Sequence, residues 1–495
     1  MRHLGLPFAV GLLLSSASSA RAELPPNGQP FESRDFTIDL AQTAIIAGTR
    51  VTGLAGAFVA VAEGVDGAAQ NPAAVAARDP WSATHVDYDL GLGLTFSSAF
   101  EDADFFNSGR RTLTSTGGSD RFVFLNLAAN LQIGRWGFGV AADIQEYSLE
   151  RLGSSSAETQ ADRLLAELVV THITLAYAAH DGEWLLGIGN RSSSFDVVNA
   201  NDPEGAPQAL FQALGAGWEA GFLLRPNDAQ YRIGVSVRTA VSANATPDSR
   251  GVLYEDDPEN RLVLPQRVTL PWDVHAGVAV QLGPRPFNPR WLDPVNELSA
   301  LERYLEWRGR ERARRRAHEL QRLQRAGLDL EWAARALDAE LASESALDEL
   351  HLERARTELQ RRLAERYRGM ERFYVLLTGS LELLGAVDDG VGVESFLERR
   401  VQRSGRDVSW SPRLGVESEV IPHWTRVRSG VYLEPSRFRD NSPGARPHWT
   451  LGLDQRLFAS ELFGLLGEGS TFRASGSLDT SRSYFSWSVA AGMWH

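Results

Sequence analysis

Across 495 residues the chain contains no cysteine, no lysine and only three methionines. Nowhere does it run to the ~18 consecutive apolar residues that a membrane-spanning helix requires. The missing cysteine excludes a disulfide framework, a lipoprotein anchor and thiol chemistry. The missing lysine makes all 50 basic residues arginine, which reads as a coding bias and says little about function. A formal net charge of -13 argues against nucleic acid as a partner. Catalytic patterns are missing too. His85, His172 and His275 lie on separate segments without metal-ligand spacing, and there is no GxSxG, HExxH or Walker-type run. No enzyme activity, metal or cofactor is therefore expected.

Residues 1–22 carry a basic start (Arg2, His3), an apolar run from Leu4 to Leu14 and Ala20-Arg21-Ala22, the pattern of a secretory signal cleaved near Ala22. An exported chain without a membrane helix is either a soluble periplasmic or secreted protein or an outer-membrane barrel.

From Thr84 onward the sequence falls into segments of alternating hydrophobicity, the weak per-segment signal of a membrane barrel. The segments are 84–96, 121–133, 136–150, 166–180, 184–197, 213–225, 230–242, 266–282, 372–386, 408–421, 424–435, 447–459, 470–480 and 484–495. This predicts an all-β transmembrane barrel of about 14 antiparallel strands, an even number as single-chain bacterial barrels require. Loop lengths give an independent test. Gly134-Arg135, Asp181 to Glu183, Pro226 to Ala229 and Pro422-His423 are tight turns after even-numbered strands, where the periplasmic side belongs. The stretches 97–120, 151–165, 198–212, 243–265 and 387–407 read as long polar loops on the other side. The connections at 460–469 and 481–483 break the rule. The last strand sets Phe485, Trp487, Val489, Ala491 and Met493 on one face up to the terminal His495.

Between leader and strands lies Gly48 to Ala77, rich in Gly and Ala and nearly uncharged. Gly53 and Gly56 would let backbone pack closely on backbone, and Asn71 before Pro72 is a capped helix start with proline in the first turn. The run GLAGAFVAVA followed by NPA resembles the N-terminal signature of the FadL-type outer-membrane transporter family, in which such a segment plugs the lumen. Ala74-Val75 stands where that family usually has Gly-Leu, and Glu63 to Asp66 where it usually has a pair of acids. A weaker likeness is LVLPQRVTLPWDVHAGVAVQL, residues 262–282, since the family often enters a strand through a Leu-Pro step. The resemblance implies an N-terminal plug, outer-membrane lipid around the barrel and a hydrophobic small-molecule ligand, fatty acid or hydrocarbon, taken up passively. It also admits an alternative, a platform for protein interaction or export of the kind PorV-like members form.

Residues 283–371 interrupt the strands with helical sequence. Asp293-Pro294 starts one helix, Gly327 stops it, Asp329 caps a second, and leucines continue at helical spacing to about Arg368. Glu306 to Arg325 carries eight arginines against three acids, and Leu328 to Glu353 eight acids against one arginine. Folded back, the two segments make an antiparallel hairpin with complementary flanks, either self-paired or, through 293–368, an arm for a periplasmic protein partner or for anionic headgroups on the inner leaflet. The expected organisation is a signal peptide at 1–22, a plug at 23–83, strands one to eight in 84–282, a periplasmic hairpin at 283–371 and strands nine to fourteen in 372–495.

Alternate positions on the late strands carry Arg413, Arg426, Arg428, Arg456 and Arg473 among Glu417, Glu419, Glu434, Asp454 and Asp479. Such charges must face a wet lumen, because an arginine on the lipid face at mid-depth costs about 2 to 4 kcal/mol. Two readings stand: an ion-pair lattice that holds the plug, or arginines that bind a ligand's carboxylate.

Overall fold

A computed structural model describes residues 24–97, 104–109, 123–151, 162–199, 208–247, 262–327, 329–438, 444–459 and 471–494. The proposed signal peptide, residues 1–22, lies outside the described residues. Fourteen antiparallel strands close on themselves. They are β1 Val86–Ser97, β2 Val123–Ile133, β3 Trp136–Arg151, β4 Asp162–Ala179, β5 Trp184–Asn199, β6 Gln208–Leu224 and β7 Tyr231–Arg238. The circle continues with β8 Asp273–Leu282, β9 Val375–Leu384, β10 Ser409–Ile421, β11 Thr425–Glu434, β12 Arg446–Ala459, β13 Thr471–Ser481 and β14 Tyr484–Trp494. Each strand falls within its predicted segment or overlaps it closely. Closure matters because a spanning sheet can leave no backbone group unpaired in lipid.

Alternation sorts the side chains as a membrane barrel needs. Leu90, Phe138, Ile173, Ile188, Leu377 and Leu414 form an exposed apolar band on the outside. Aromatic residues rim it at the tight-turn end (Trp136, Trp184, Tyr231, Phe373, Trp424) and toward the other end (Trp218, Trp410, Trp449). The fold is that of an outer-membrane-type barrel.

Two predicted features are corrected. The segment 266–282 is not one strand: Arg267–Leu270 leaves the wall, and β8 begins only at Asp273. Pro271 separates them, for it has no N–H to continue a ladder, and its carbonyl is taken by Arg191 Nη2 at 3.0 Å. The stretches 243–265 and 387–407 are not simply loops either. Val241–Asn244, Arg267–Leu270, Thr37–Asp39 and Gly390–Gly392 build a four-stranded sheet at the long-loop end, with Thr37–Asp39 parallel to both its neighbours. Phe36, Ile38, Val268 and Val391 from this sheet pack on Leu168, Phe195 and Phe211 of the wall. Of the two connections that break the length rule, 482–483 is a tight turn at the long-loop end, and 460–470 lies outside the described residues.

In the plug region the chain forms α1 Thr49–Gly53, α2 Gly64–Ala68 and a 3-10 turn, Pro72–Ala76. The insert forms α3 Pro294–Arg325 and α4 Leu330–Gly369. At 1.5 Å per residue these last two are roughly 50 and 60 Å long. Asp293 and Asp329 cap them, accepting from Val295 N at 3.0 Å and Glu331 N at 2.9 Å, and Gly327 takes φ 68° at the stop. The complementary charges meet each other: Arg308 and Arg312 on Asp348, Arg315 on Glu344, Arg316 on Asp338, Arg356 on Glu302. The hairpin therefore satisfies much of its own charge pattern.

Chain direction makes an orientation test available. Since barrels of this kind keep tight turns in the periplasm, a tag at exposed Asp407, near the long-loop end, should be labelled on intact cells and one at exposed Gly327 should not. Labelling at Gly327 would invert the topology.

Candidate functional site

The lumen is occupied by the chain's own residues 37–77, which the structure places inside the barrel wall. Small residues allow the approach. Wall glycines on successive strands face the plug backbone directly, so that a Cβ added at any of them would collide. At Gly137 it would lie 2.1 Å from Val75 O, at Gly187 2.3 Å from the Pro72 carbonyl carbon, at Gly221 2.1 Å from Asn71 Oδ1 and at Gly234 2.1 Å from Val59 O. On the opposite wall, Gly415 meets Leu54 O, and Gly452 meets Gly53 Cα at 3.0 Å. Gly53 thus sits backbone to backbone with β12, while Gly56, at φ 68°, turns the chain where a Cβ would lie 2.5 Å from Arg413 Nη1. These wall glycines were missed in the sequence. Their signal was present, since glycine inside a strand often marks the close approach of another backbone.

Asn71 is fully buried and makes three contacts. Its Oδ1 accepts from Ala73 N at 3.0 Å, capping the 3-10 turn that starts at Pro72, while Nδ2 donates to Val59 O at 3.0 Å and to Phe222 O of β6 at 3.2 Å. The cap thereby also ties the plug to itself and to the wall.

Three charged plug residues bind three wall strands. Arg50 bridges Glu63 at 2.8 Å and Glu417 of β10 at 3.2 Å, Glu63 reaches Arg232 of β7 at 3.1 Å, and Asp66 accepts from Arg473 of β13 at 2.6 Å. Burial would raise the Glu63 carboxyl, but Arg50 and Arg232 outweigh it and bring it down to about 2. A depressed carboxylate contributes its stabilisation above its ordinary range near 4.5 and loses it as pH falls through about 2.

The five arginines singled out in the sequence do not converge on a void. Arg428 is fully buried between Glu417 and Asp454, Arg413 pairs with Glu382, and Arg473 holds Asp66. Arg426 stands opposite Glu419 in the ladder, and Arg456, half-buried, stands opposite Arg473. A second tier toward the long-loop end links His172, Glu219, Arg238, Asp273, His275 and Glu382. Above it lies the apolar layer of Phe36, Phe195, Phe211 and Phe396.

The architecture resembles that of FadL-type barrels. No known family profile and no curated protein matches the chain. Among solved structures it is similar to the CymD monoaromatic hydrocarbon channel (9% identity, TM-score 0.47, 92% of this chain and 98% of that one). It is also similar to a Pseudomonas aeruginosa FadL homologue (12%, 0.45, 92% and 99%) and to the P. putida toluene transporter TodX (10%, 0.45, 91% and 98%). Likeness at this level leaves the solute undecided.

Two substitutions test how the plug is held. Gly187→Val should leave an assembled barrel but push the plug off its seat, raising single-channel conductance in planar bilayers, whereas Gly476→Val, where a Cβ meets nothing closer than 3.6 Å, should change nothing. An assembled Gly187→Val barrel with unaltered conductance would contradict the docking. Asn71→Ala should cost about 0.5 to 2 kcal/mol of capping and about 1 kcal/mol for each further hydrogen bond. It should appear as faster proteolysis of residues 49–77 without loss of barrel assembly.

Proposed function

We propose that the protein is an outer-membrane barrel for the passive passage of a hydrophobic small molecule, a fatty acid or a hydrocarbon, through a plugged lumen. The observation that carries this reading is the apolar layer inside the long-loop half of the barrel. Lumens of water-filled porins are polar. Here the inward residues of β4, β5 and β6 are instead Leu168, Val170, Phe195, Val197 and Phe211, all buried against the inner sheet. Apolar solutes are held back by a lipopolysaccharide surface, so an apolar lining that begins at the long-loop end supports a route past it. Below that layer the glycine-seated plug and its ion pairs close the lumen to water and ions.

The alternative, a docking platform for a periplasmic protein, drew on the charges of the hairpin. Arg308, Arg312, Arg315 and Arg316 face acids of the partner helix, so this charge pattern favours self-pairing.

In a Gram-negative host lacking its own fatty-acid uptake, expression should raise the uptake of radiolabelled oleate or toluene and leave that of a disaccharide unchanged. Phe211→Gln should lower the hydrophobic uptake several-fold with the barrel intact. Equal passage of the disaccharide, or oleate and toluene uptake no higher than in the empty host, would remove the proposal.

A further inference from the structure

At the tight-turn end a cleft of about 70 Å³ lies between the plug's last turn, the β2–β3 and β4–β5 turns, and the linker into α3. Four arginines line it: Arg78, Arg135, Arg225 and Arg290. Three have acid partners. Arg78 pairs with Asp87 at 2.9 Å, and Arg135 and Arg290 share Asp181 at 2.7 and 2.9 Å.

Arg225 differs. It is 7% exposed, and its Nε donates to Gly182 O at 3.0 Å. Its two terminal nitrogens have no acceptor among the described residues. Glu183, on that turn, accepts at Oε1 from Asn227 N at 3.0 Å and makes no ion pair with Arg225 among the described residues. A buried guanidinium left without a carboxylate carries a large desolvation cost that an anion would offset, and its fork suits a carboxylate or a phosphate. Asp293 and Glu297 also line the cleft, and Asp293 is engaged by His85, Val295 N and Asn296.

We infer that this cleft is an anion site in which Arg225 holds the carboxylate or phosphate head of an amphipathic molecule. The volume suits a head and excludes a chain, since a single water needs about 10 to 15 Å³ on the same measure. The tail must then lie outside. Trp136 and Trp184, on the outer surface beside the turns that line the cleft, mark the level of the bilayer interface. The head is either that of a cargo molecule leaving the barrel, an assignment that rests on the uptake reading, or that of an inner-leaflet phospholipid.

Equilibrium dialysis of the full chain in neutral detergent distinguishes these, with decanoate, decyl phosphate and decanol as probes. Both anions should bind, and Arg225→Gln should weaken them about tenfold or more, as loss of a charged hydrogen bond implies, with decanol unaffected. Asp181→Asn, which frees Arg135 and Arg290, should tighten both anions, a change that misfolding does not produce. Phospholipid that co-purifies with the native chain and is lost from Arg225→Gln identifies a resident lipid head. Anion binding without such lipid identifies a cargo head. Equal anion binding by the native and Arg225→Gln chains, with both barrels assembled, overturns the site, as does the absence of anion binding to the native chain.

Discussion

The lumen is closed by backbone meeting backbone. A plug of Gly, Ala and Val can approach the wall only where the wall also lacks side chains, and Gly137, Gly187, Gly221, Gly234, Gly415 and Gly452 supply those places around most of the circumference. Interiors are packed so tightly that one added methyl is felt, so this contact fixes the position of everything carried on the plug. Arg50, Glu63 and Asp66 reach their partners on β10, β7 and β13 because the glycine seat sets their height and rotation. The ion pairs cannot do this alone, since long side chains tolerate several ångströms of movement.

How far the sequence reveals this depends on the range of the interaction. The fourteen wall strands were legible, because each writes its alternation locally and the lipid punishes any slip that turns a charge outward. Asn71 and Pro72, Asp293, Gly327 and Asp329 were legible for the same reason, as caps and stops that act over three or four residues. The inner sheet was not. It joins three-residue and four-residue pieces from positions 37, 241, 267 and 390, too short to show a period, and Thr37–Asp39 pairs over hundreds of residues. The split at Pro271 was hidden by continuous hydrophobicity on both sides. The late-strand arginines were recognised as lumenal, but which acid each one meets depends on register across strands and on plug residues far away in the chain. Arg225 gave no sign at all, for nothing in its neighbours shows that the acid beside it, Glu183, turns to a backbone amide.

The insert is attached to the plug as well as to the wall. Its linker passes under the lumen, where Arg232 binds Asn288 Oδ1 at 2.7 Å and Phe287 O at 2.9 Å with the same guanidinium that meets Glu63. Tyr367 at the far end of α4 packs on Trp81, just past the plug, with ring centres 6.0 Å apart. One foot of the hairpin thus rests on a wall arginine that also holds the plug, and the other on the chain just past the plug, so the hairpin braces the tight-turn mouth even though its outer charges are spent on itself.

The cost of moving the plug limits how a solute can pass it. Withdrawing it as a body would break the Arg50–Glu417, Glu63–Arg232 and Asp66–Arg473 pairs. At about 3 to 5 kcal/mol for each buried pair broken, the total is about 9 to 15 kcal/mol, a state populated on the order of once in a few million or less. A local shift on one side is far cheaper. Among the described residues the plug's ion pairs go to β1, β7, β10 and β13, and its hydrogen bonds to the wall include those from Asn71 to β6 and from β2 Gln132 to Val75 O. Toward β3 it offers Val75 on glycine and Gln42, which accepts from Gln145 Nε2 at 2.9 Å, and toward β5 it offers Pro72 on glycine. The apolar residues Leu168, Phe195 and Phe211 lie on β4, β5 and β6 at the long-loop end, and the Arg225 cleft opens below the β2–β3 and β4–β5 turns of that same side. The apolar layer and the Arg225 cleft therefore lie at the two ends of one flank of the barrel.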